Sequence, residues 1–211
     1  MSNLPTKLCF VDIETTGSSL FRSRIIEIGI IRVENGQVVQ TFRSLVNPEQ
    51  SLPEEITLLT GITPAELESA PTFSEIADQV FAILDEAVFV AHNVRFDYSF
   101  MKQELRRVGY QFSPKQMCTV KLSRKLYPQE RHHNLDILIQ RFNLVCPSRH
   151  RAFEDADCLW QFYQIINKQF AEEELLAALE TIMKQPTRPI KLEQSVLDNL
   201  PETAGVYIFY G

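Results

Sequence analysis

Four acidic residues carry most of the chemistry this sequence offers: Asp12 and Glu14 in FVDIETTG, Asp97 in AHNVRFD, and Asp155 in HRAFEDAD. His150 opens the last of these segments. Asp12 and Glu14 stand two residues apart in an apolar run, so on a strand both carboxylates point to one face. Two acids on one face at the end of an apolar strand are costly unless a cation neutralises them. Carboxylate oxygens are the hard ligands that magnesium and manganese prefer. An acid-x-acid pair on a strand, with two later acids on helices, is the layout of a site that holds two divalent metal ions, Mg²⁺ or Mn²⁺. His150 adds an imidazole, a side chain that suits a base that deprotonates water.

Helical periodicity sorts the later acids. Asp97 falls within the arc spanned by Phe96, Phe100, Met101 and Val108, and a carboxylate on an apolar face usually has a partner. The alternative is an acid at a helix N-terminus, favoured by the macrodipole. Ala152, Ala156, Leu159, Trp160, Tyr163 and Ile166 form one apolar stripe with Asp155 on its margin. Glu154 and Asp157 fall outside the stripe, so the period selects Asp155 over its acidic neighbours.

These segments resemble, nearly letter for letter, the three motifs of the DEDDh 3′–5′ exonucleases, the family of the proofreading epsilon subunit of bacterial DNA polymerase III. The resemblance spans roughly residues 7 to 168. It implies a ribonuclease H-like fold and hydrolysis of phosphodiesters from the 3′ end of single-stranded DNA to nucleoside 5′-monophosphates. In the family the first acid, here Asp12, bridges both metals and the second, Glu14, binds one. Asp97 would support the second metal, often through water, and Asp155 completes the metal set. The H-x4-D spacing of His150 and Asp155 matches the histidine subtype, where the sister subtype has Tyr-x3-D.

On the substrate side the resemblance points to Thr15 and Thr16 as contacts of the terminal nucleotide. It adds His92, Asn93 and Phe96 from the H-N-x-x-F-D pattern; structural roles for His92 and Asn93 stay open. In LTGITPAEL, Leu59 and Ile62 stand where the family packs a loop on the terminal base, against the alternative of helix-turn packing. His132 and His133 flank a helix start and read as structural or phosphate-contacting. Two other functions stay open. One is an RNA-directed 3′–5′ exonuclease, since contacts to a 2′-hydroxyl decide that. The other is a non-catalytic module that binds a repair or polymerase protein.

Composition sets the bounds. The chain has 211 residues, 45% apolar and 23% charged, which fits one domain of typical size with something left over. No apolar run reaches the length of a membrane span. The N-terminal MSNLPTKLCFVD lacks a basic segment followed by a long apolar one, so no signal peptide and a cytoplasmic location are expected. Cys9, Cys118, Cys146 and Cys158 form no CxxC pair and no cluster with zinc spacing; Cys118 and Cys146 are expected to be partly exposed, and disulfides are not expected. The net charge of −6 argues against a general nucleic-acid coat protein. Charge is uneven, however. Lys121, Arg124, Lys125, Arg131, Arg141, Arg149 and Arg151 make a basic middle against Glu130 and Asp136, and the balance reverses after residue 170. A basic middle beside an acidic metal site suits a phosphate backbone lying across bound cations.

The elements that must position these residues follow from the same sequence. Strands are expected over 7–14, 25–33, 37–46 and 87–91, with Asn35-Gly36 turning a hairpin between the second and third. Helices are expected over 73–85, capped by Thr72, and over 95–108, 119–127, 135–143 and 151–169. The order predicts an α/β fold, a mixed sheet flanked by helices, over residues 1–170. An acidic helix and a proline-containing linker follow over 171–198. Residues 199–211, with Gly205-Val206-Tyr207, resemble the opening of a truncated GIY-YIG nuclease domain, as in the bacterial excision-repair incision nuclease; the alternative is an ordinary C-terminal strand.

Overall fold

Apolar alternation and one tight turn generate the first half of the sheet. In the computed structural model, which describes residues 4–183, β1 (Lys7–Thr15), β2 (Ile25–Glu34) and β3 (Gln37–Leu45) run antiparallel. Asn35 and Gly36 close the β2–β3 hairpin with φ of 52° and 79°, the left-handed conformation both residues tolerate. β4 (Val88–Ala91) pairs parallel to β1, and β5 (Gln116–Cys118) parallel to β4, giving the order β3-β2-β1-β4-β5. The sequence carries no expectation for β5. Its three residues are too few to show a period, and only pairing with β4 defines it.

Eight helices cover the sheet among the described residues: α1 (Glu54–Thr60), α2 (Pro64–Glu68), α3 (Phe73–Leu84), α4 (Arg95–Arg107), α5 (Thr119–Leu126), α6 (Leu135–Phe142), α7 (Ala152–Gln169) and α8 (Glu172–Met183). Thr72 caps α3 through a reciprocal box in which its N–H donates to Glu75 Oε2 at 2.7 Å. Asn134 caps α6 by accepting from the Ile137 N–H at 3.0 Å.

The central strand divides two cores. Cys9, Val11 and Ile13 of β1 pack with Ile76, Val80 and Ile83 of α3 and Phe100 and Met101 of α4. Leu8 and Phe10 face the other way, into Leu159, Trp160, Phe162 and Tyr163 of α7. Asp12 and Glu14 continue that second face one and two steps further along the strand, where the apolar cover stops. α8 buries Leu175, Ala178 and Leu179 in this second core. The helix expected to open a linker therefore belongs to the domain's packing, because its i, i+3, i+4 spacing makes one apolar stripe. The remaining linker and the GIY-YIG-like segment lie outside the described residues. No helix among those described is long and apolar enough to cross a membrane.

Candidate active site

Three elements bring the acids together. Asp12 and Glu14 sit at the C-terminal end of β1, where the pairing with β2 shifts register between Glu14 and Thr15. Such irregularities re-aim side chains at strand ends. Asp97 lies in the first turn of α4 and Asp155 in the first turn of α7. Both helices therefore present an acid near their N-terminus, and both acids are nearly buried, at 3% and 4% exposure. Asp12, Glu14, Asp97, His150 and Asp155 line one cleft of about 270 Å³, together with His92, Asn93, Phe96, Asn134, Asp136 and Arg149. Larger clefts of about 730 and 510 Å³ lie elsewhere. Neither gathers a comparable set of carboxylates, so size does not locate the chemistry here.

Close packing of α7 against β2 makes this convergence possible. Gly29 of β2 pairs with Asp12 across the strands. A Cβ at Gly29 would stand 2.4 Å from the Ala152 carbonyl and from Phe153 Cα. Only a glycine lets the start of α7 lie this close to β2. Glu27, two residues earlier and 2% exposed, fixes the same junction. Its Oε1 accepts from Arg151 Nη2 at 2.8 Å, and its Oε2 accepts from the Ala152 N–H at 2.9 Å. A buried carboxylate at a helix N-terminus, forked with an arginine, is a strong positional clamp. It sets the chain immediately after His150, whose own φ of 58° is uncommon for a non-glycine residue.

Crowding makes the carboxylates poor anions when no cation is present. Burial first, and then the charges of Asp97, Asp155 and Glu14, hold the Asp12 carboxyl well above its usual range. Burial, and then Asp155 and Glu27, push Glu14 up to about 7. Burial pushes Asp97 up to about 8, although hydrogen bonds from its own backbone and that of Ile13 oppose this. Asp155 is also raised by burial, against the pull of Arg149. Its Oδ2 accepts from Arg149 Nη1 and, at 3.3 Å, from the His150 N–H. Donor atoms of Glu14, His150 and Asp155 lie within 4.8 Å of one another. Mutually repelling carboxylates lining one cleft fit divalent cations, which would be held by Asp12, Glu14, Asp97 and Asp155.

A pH dependence follows from these directions. Folded-state values near 7 and 8 for Glu14 and Asp97 exceed the ordinary carboxylate range of about 4. The folded state then binds these protons more tightly than the unfolded chain. That stability is present below about pH 4 and is lost as pH rises through 7 to 8. In EDTA the melting temperature is expected to fall between pH 5 and 8. Saturating Mg²⁺ or Mn²⁺ should restore several degrees, with the larger increment at the higher pH. Differential scanning fluorimetry checks this, and Glu14→Gln should flatten the slope.

The substrate-side expectations separate. Phe96 lines the cleft and packs on Phe100 with ring centroids 4.9 Å apart. Asn93 is exposed there, with a φ of 62°. His92 also lines the cleft; its Nδ1 bonds Thr119 Oγ1 at 2.9 Å, and burial lowers its pKa to about 4. It is therefore neutral and offers no charge to a phosphate. Thr15 and Thr16 are buried and brace the turn after β1. Thr15 Oγ1 donates to the Gly17 carbonyl at 2.7 Å, and Thr16 Oγ1 accepts from the Arg24 N–H at 3.0 Å and Gln50 Nε2 at 2.6 Å. Leu59 is 50% exposed on α1, but Ile62 is 1% exposed and packs with Ile26 and Leu67. Left-handed Gly61 turns the chain inward after α1. His133 is structural: Nδ1 meets Ser123 Oγ at 2.8 Å and Nε2 meets the Glu130 carbonyl at 3.1 Å.

Arg149, Glu27 and Gly29 were not singled out by sequence. Arg149 counted only within a basic stretch, yet it pairs with Asp136 at 2.7 Å and with Asp155 inside the cleft. Arg141 likewise pairs with Glu130 and Arg151 with Glu27, leaving Lys121, Arg124, Lys125 and Arg131 as the exposed cations of that stretch.

A mixed five-stranded sheet flanked by helices, with acids from β1, α4 and α7 meeting in one cleft, defines a ribonuclease H-like exonuclease fold. Residues 9–163 match the family model described as Exonuclease, RNase T, and the chain belongs to this family. The chain is 39% identical over 149 residues to the 3′–5′ exonuclease DinG of Bacillus subtilis, an alignment covering 70% of the chain and 16% of that protein. It is 37% identical over 155 residues to a PolC-type DNA polymerase III of Caldanaerobacter subterraneus, covering 74% and 11%. A Mycobacterium tuberculosis protein named as a bifunctional exonuclease/endonuclease is 31% identical over 224 residues, covering 100% and 34%. The chain thus spans between about a tenth and a third of these relatives. Among solved structures, E. coli exonuclease I in complex with a dA16 oligonucleotide superposes with a TM-score of 0.72 at 18% identity, covering 83% of this chain and 43% of that one.

Proposed function

We propose that this chain is a metal-dependent 3′–5′ exonuclease that removes nucleoside 5′-monophosphates from the 3′ end of single-stranded DNA. One observation carries the proposal: Asp12, Glu14, Asp97 and Asp155 converge with His150 on a single cleft in a chain of the exonuclease family. The four carboxylates would hold two divalent cations, Mg²⁺ or Mn²⁺. When bound, such cations supply Lewis-acid stabilisation of the phosphate and of the leaving 3′-oxygen. His150, on the loop clamped by Glu27 and Arg151, takes the proton from the attacking water. Phe96 and Asn93 line the approach, and exposed Leu59 offers an apolar surface to the terminal base. The polymerase relative supports DNA over RNA, and replication or repair as the setting.

His150→Ala is expected to slow turnover by about 10²- to 10⁴-fold, the usual contribution of a positioned general base. Metal-induced thermal stabilisation should survive in that variant. Substrate class is tested with DNA and RNA oligomers of one sequence. Faster shortening of the DNA supports the proposal, preference for RNA reassigns the substrate, and resistance of both overturns hydrolysis.

A further inference from the structure

Asp155 has a second neighbourhood that exonuclease chemistry does not use. Cys158 lies three residues further along α7, on the same helix face. Cys146 reaches the same place from the loop after α6. The two Sγ atoms and a carboxylate oxygen of Asp155 all lie within 4.8 Å of one another. The carboxylate divides its oxygens between two settings. Oδ2 faces Arg149 and the His150 N–H in the cleft, whereas Oδ1 stands 3.7 Å from Cys146 Sγ.

The 3.7 Å separation of Cys146 Sγ and Asp155 Oδ1 has the scale of a coordination polyhedron. Bonds of about 2.3 Å to sulfur and about 2.0–2.2 Å to oxygen place tetrahedral donors roughly 3.5–3.8 Å apart. Cys158 is fully buried, which fixes one donor, and Cys146 is partly exposed. Thiolate pairs select soft or borderline cations and are passed over by magnesium, calcium and manganese. Sequence spacing gave no hint of this group, because its members come from one loop and one helix rather than a CxxC turn.

We propose that Cys146, Cys158 and Asp155 form a site for a thiophilic divalent cation of the Zn²⁺ or Cd²⁺ class. Its occupation turns Asp155 away from the catalytic cations and so inhibits hydrolysis. Binding exchanges two thiol protons for two metal–sulfur bonds, with no change of oxidation state. The binding half stands on the geometry alone; the inhibitory half rests on the proposed exonuclease activity.

The test titrates Cd²⁺ into the reduced, metal-stripped full chain and records the thiolate-to-cadmium charge-transfer band in the ultraviolet. The band should saturate at one ion per chain, vanish in Cys146→Ser and persist in Cys118→Ser. No saturable band, or one that survives Cys146→Ser, overturns the site. Cys146→Ser is the decisive variant because its side chain is partly exposed and serine is close to it in size. In a second arm, Zn²⁺ at about ten times its dissociation constant should slow Mg²⁺-dependent DNA hydrolysis about tenfold. Cys146→Ser, with wild-type basal rate, should resist this. Equal inhibition of both proteins overturns the regulatory role even if the band is present. A chain that binds Cd²⁺ through Cys146 but hydrolyses no DNA retains the site and loses the exonuclease.

Discussion

Asp12→Asn is expected to abolish measurable hydrolysis and, in EDTA, to make the protein more stable. Asp12 is the carboxylate that all the others press upon. Its charged form is opposed by burial and then by Asp97, Asp155 and Glu14. Asparagine keeps the shape and removes the charge, so the metal-free repulsion falls. The same change removes a ligand from the centre of the metal set. A bound cation contributes several kcal/mol of transition-state stabilisation, and each factor of ten in rate corresponds to about 1.4 kcal/mol. A loss of about 10³-fold or more in kcat follows. The two readouts must move in opposite directions: rate down, metal-free melting temperature up. A variant that lost both would point to a structural role for Asp12 and count against the metal site.

Gly29→Ala is the second large effect, and it falls on a residue with no chemistry of its own. The added methyl would meet Ala152 C and O and Phe153 Cα at 2.4 Å. These are backbone atoms, so no rotamer change relieves the contact; the N-terminal turn of α7 must move outward. Overpacking of this kind costs about 1–3 kcal/mol. Displacing a reacting group by about 1 Å costs roughly 10²-fold in rate. The expected variant is folded, melts several degrees lower and turns over about a hundredfold more slowly. Shortening Ala152 to glycine should not rescue it, because the clash is with main chain. Wild-type turnover and melting temperature in Gly29→Ala would show that α7 is not held in place by this contact.

These two residues also mark what the sequence reveals. Asp12 is legible because alternation assigns it a face, and the family motif assigns it a role. Asp155 is legible because the helical stripe excludes Glu154 and Asp157, and the structure indeed buries only Asp155 of the three. The β2–β3 hairpin is legible because Asn35-Gly36 permits few other conformations. Gly29 is not legible: inside IIEIGIIRV a glycine reads only as a weak point in a strand. Its meaning comes from a helix more than a hundred residues away. Glu27 is masked in the same way, since an acid within a strand looks solvated until Arg151 and the Ala152 N–H arrive to hold it. Ile62 shows the opposite case. Its position in a family-like loop points to a base contact, and the turn at Gly61 packs it in the core. β5 depends on pairing with β4, which no local pattern encodes.

The most direct test of the central claim is digestion of a 5′-labelled single-stranded DNA oligomer with Mg²⁺ or Mn²⁺, wild type beside Asp12→Asn. The predicted result is a ladder that shortens one nucleotide at a time from the 3′ end, releases nucleoside 5′-monophosphates, and is absent in the variant and in EDTA. Uncut oligomer with well-folded, metal-loaded wild type, or a ladder that persists in Asp12→Asn, would contradict it.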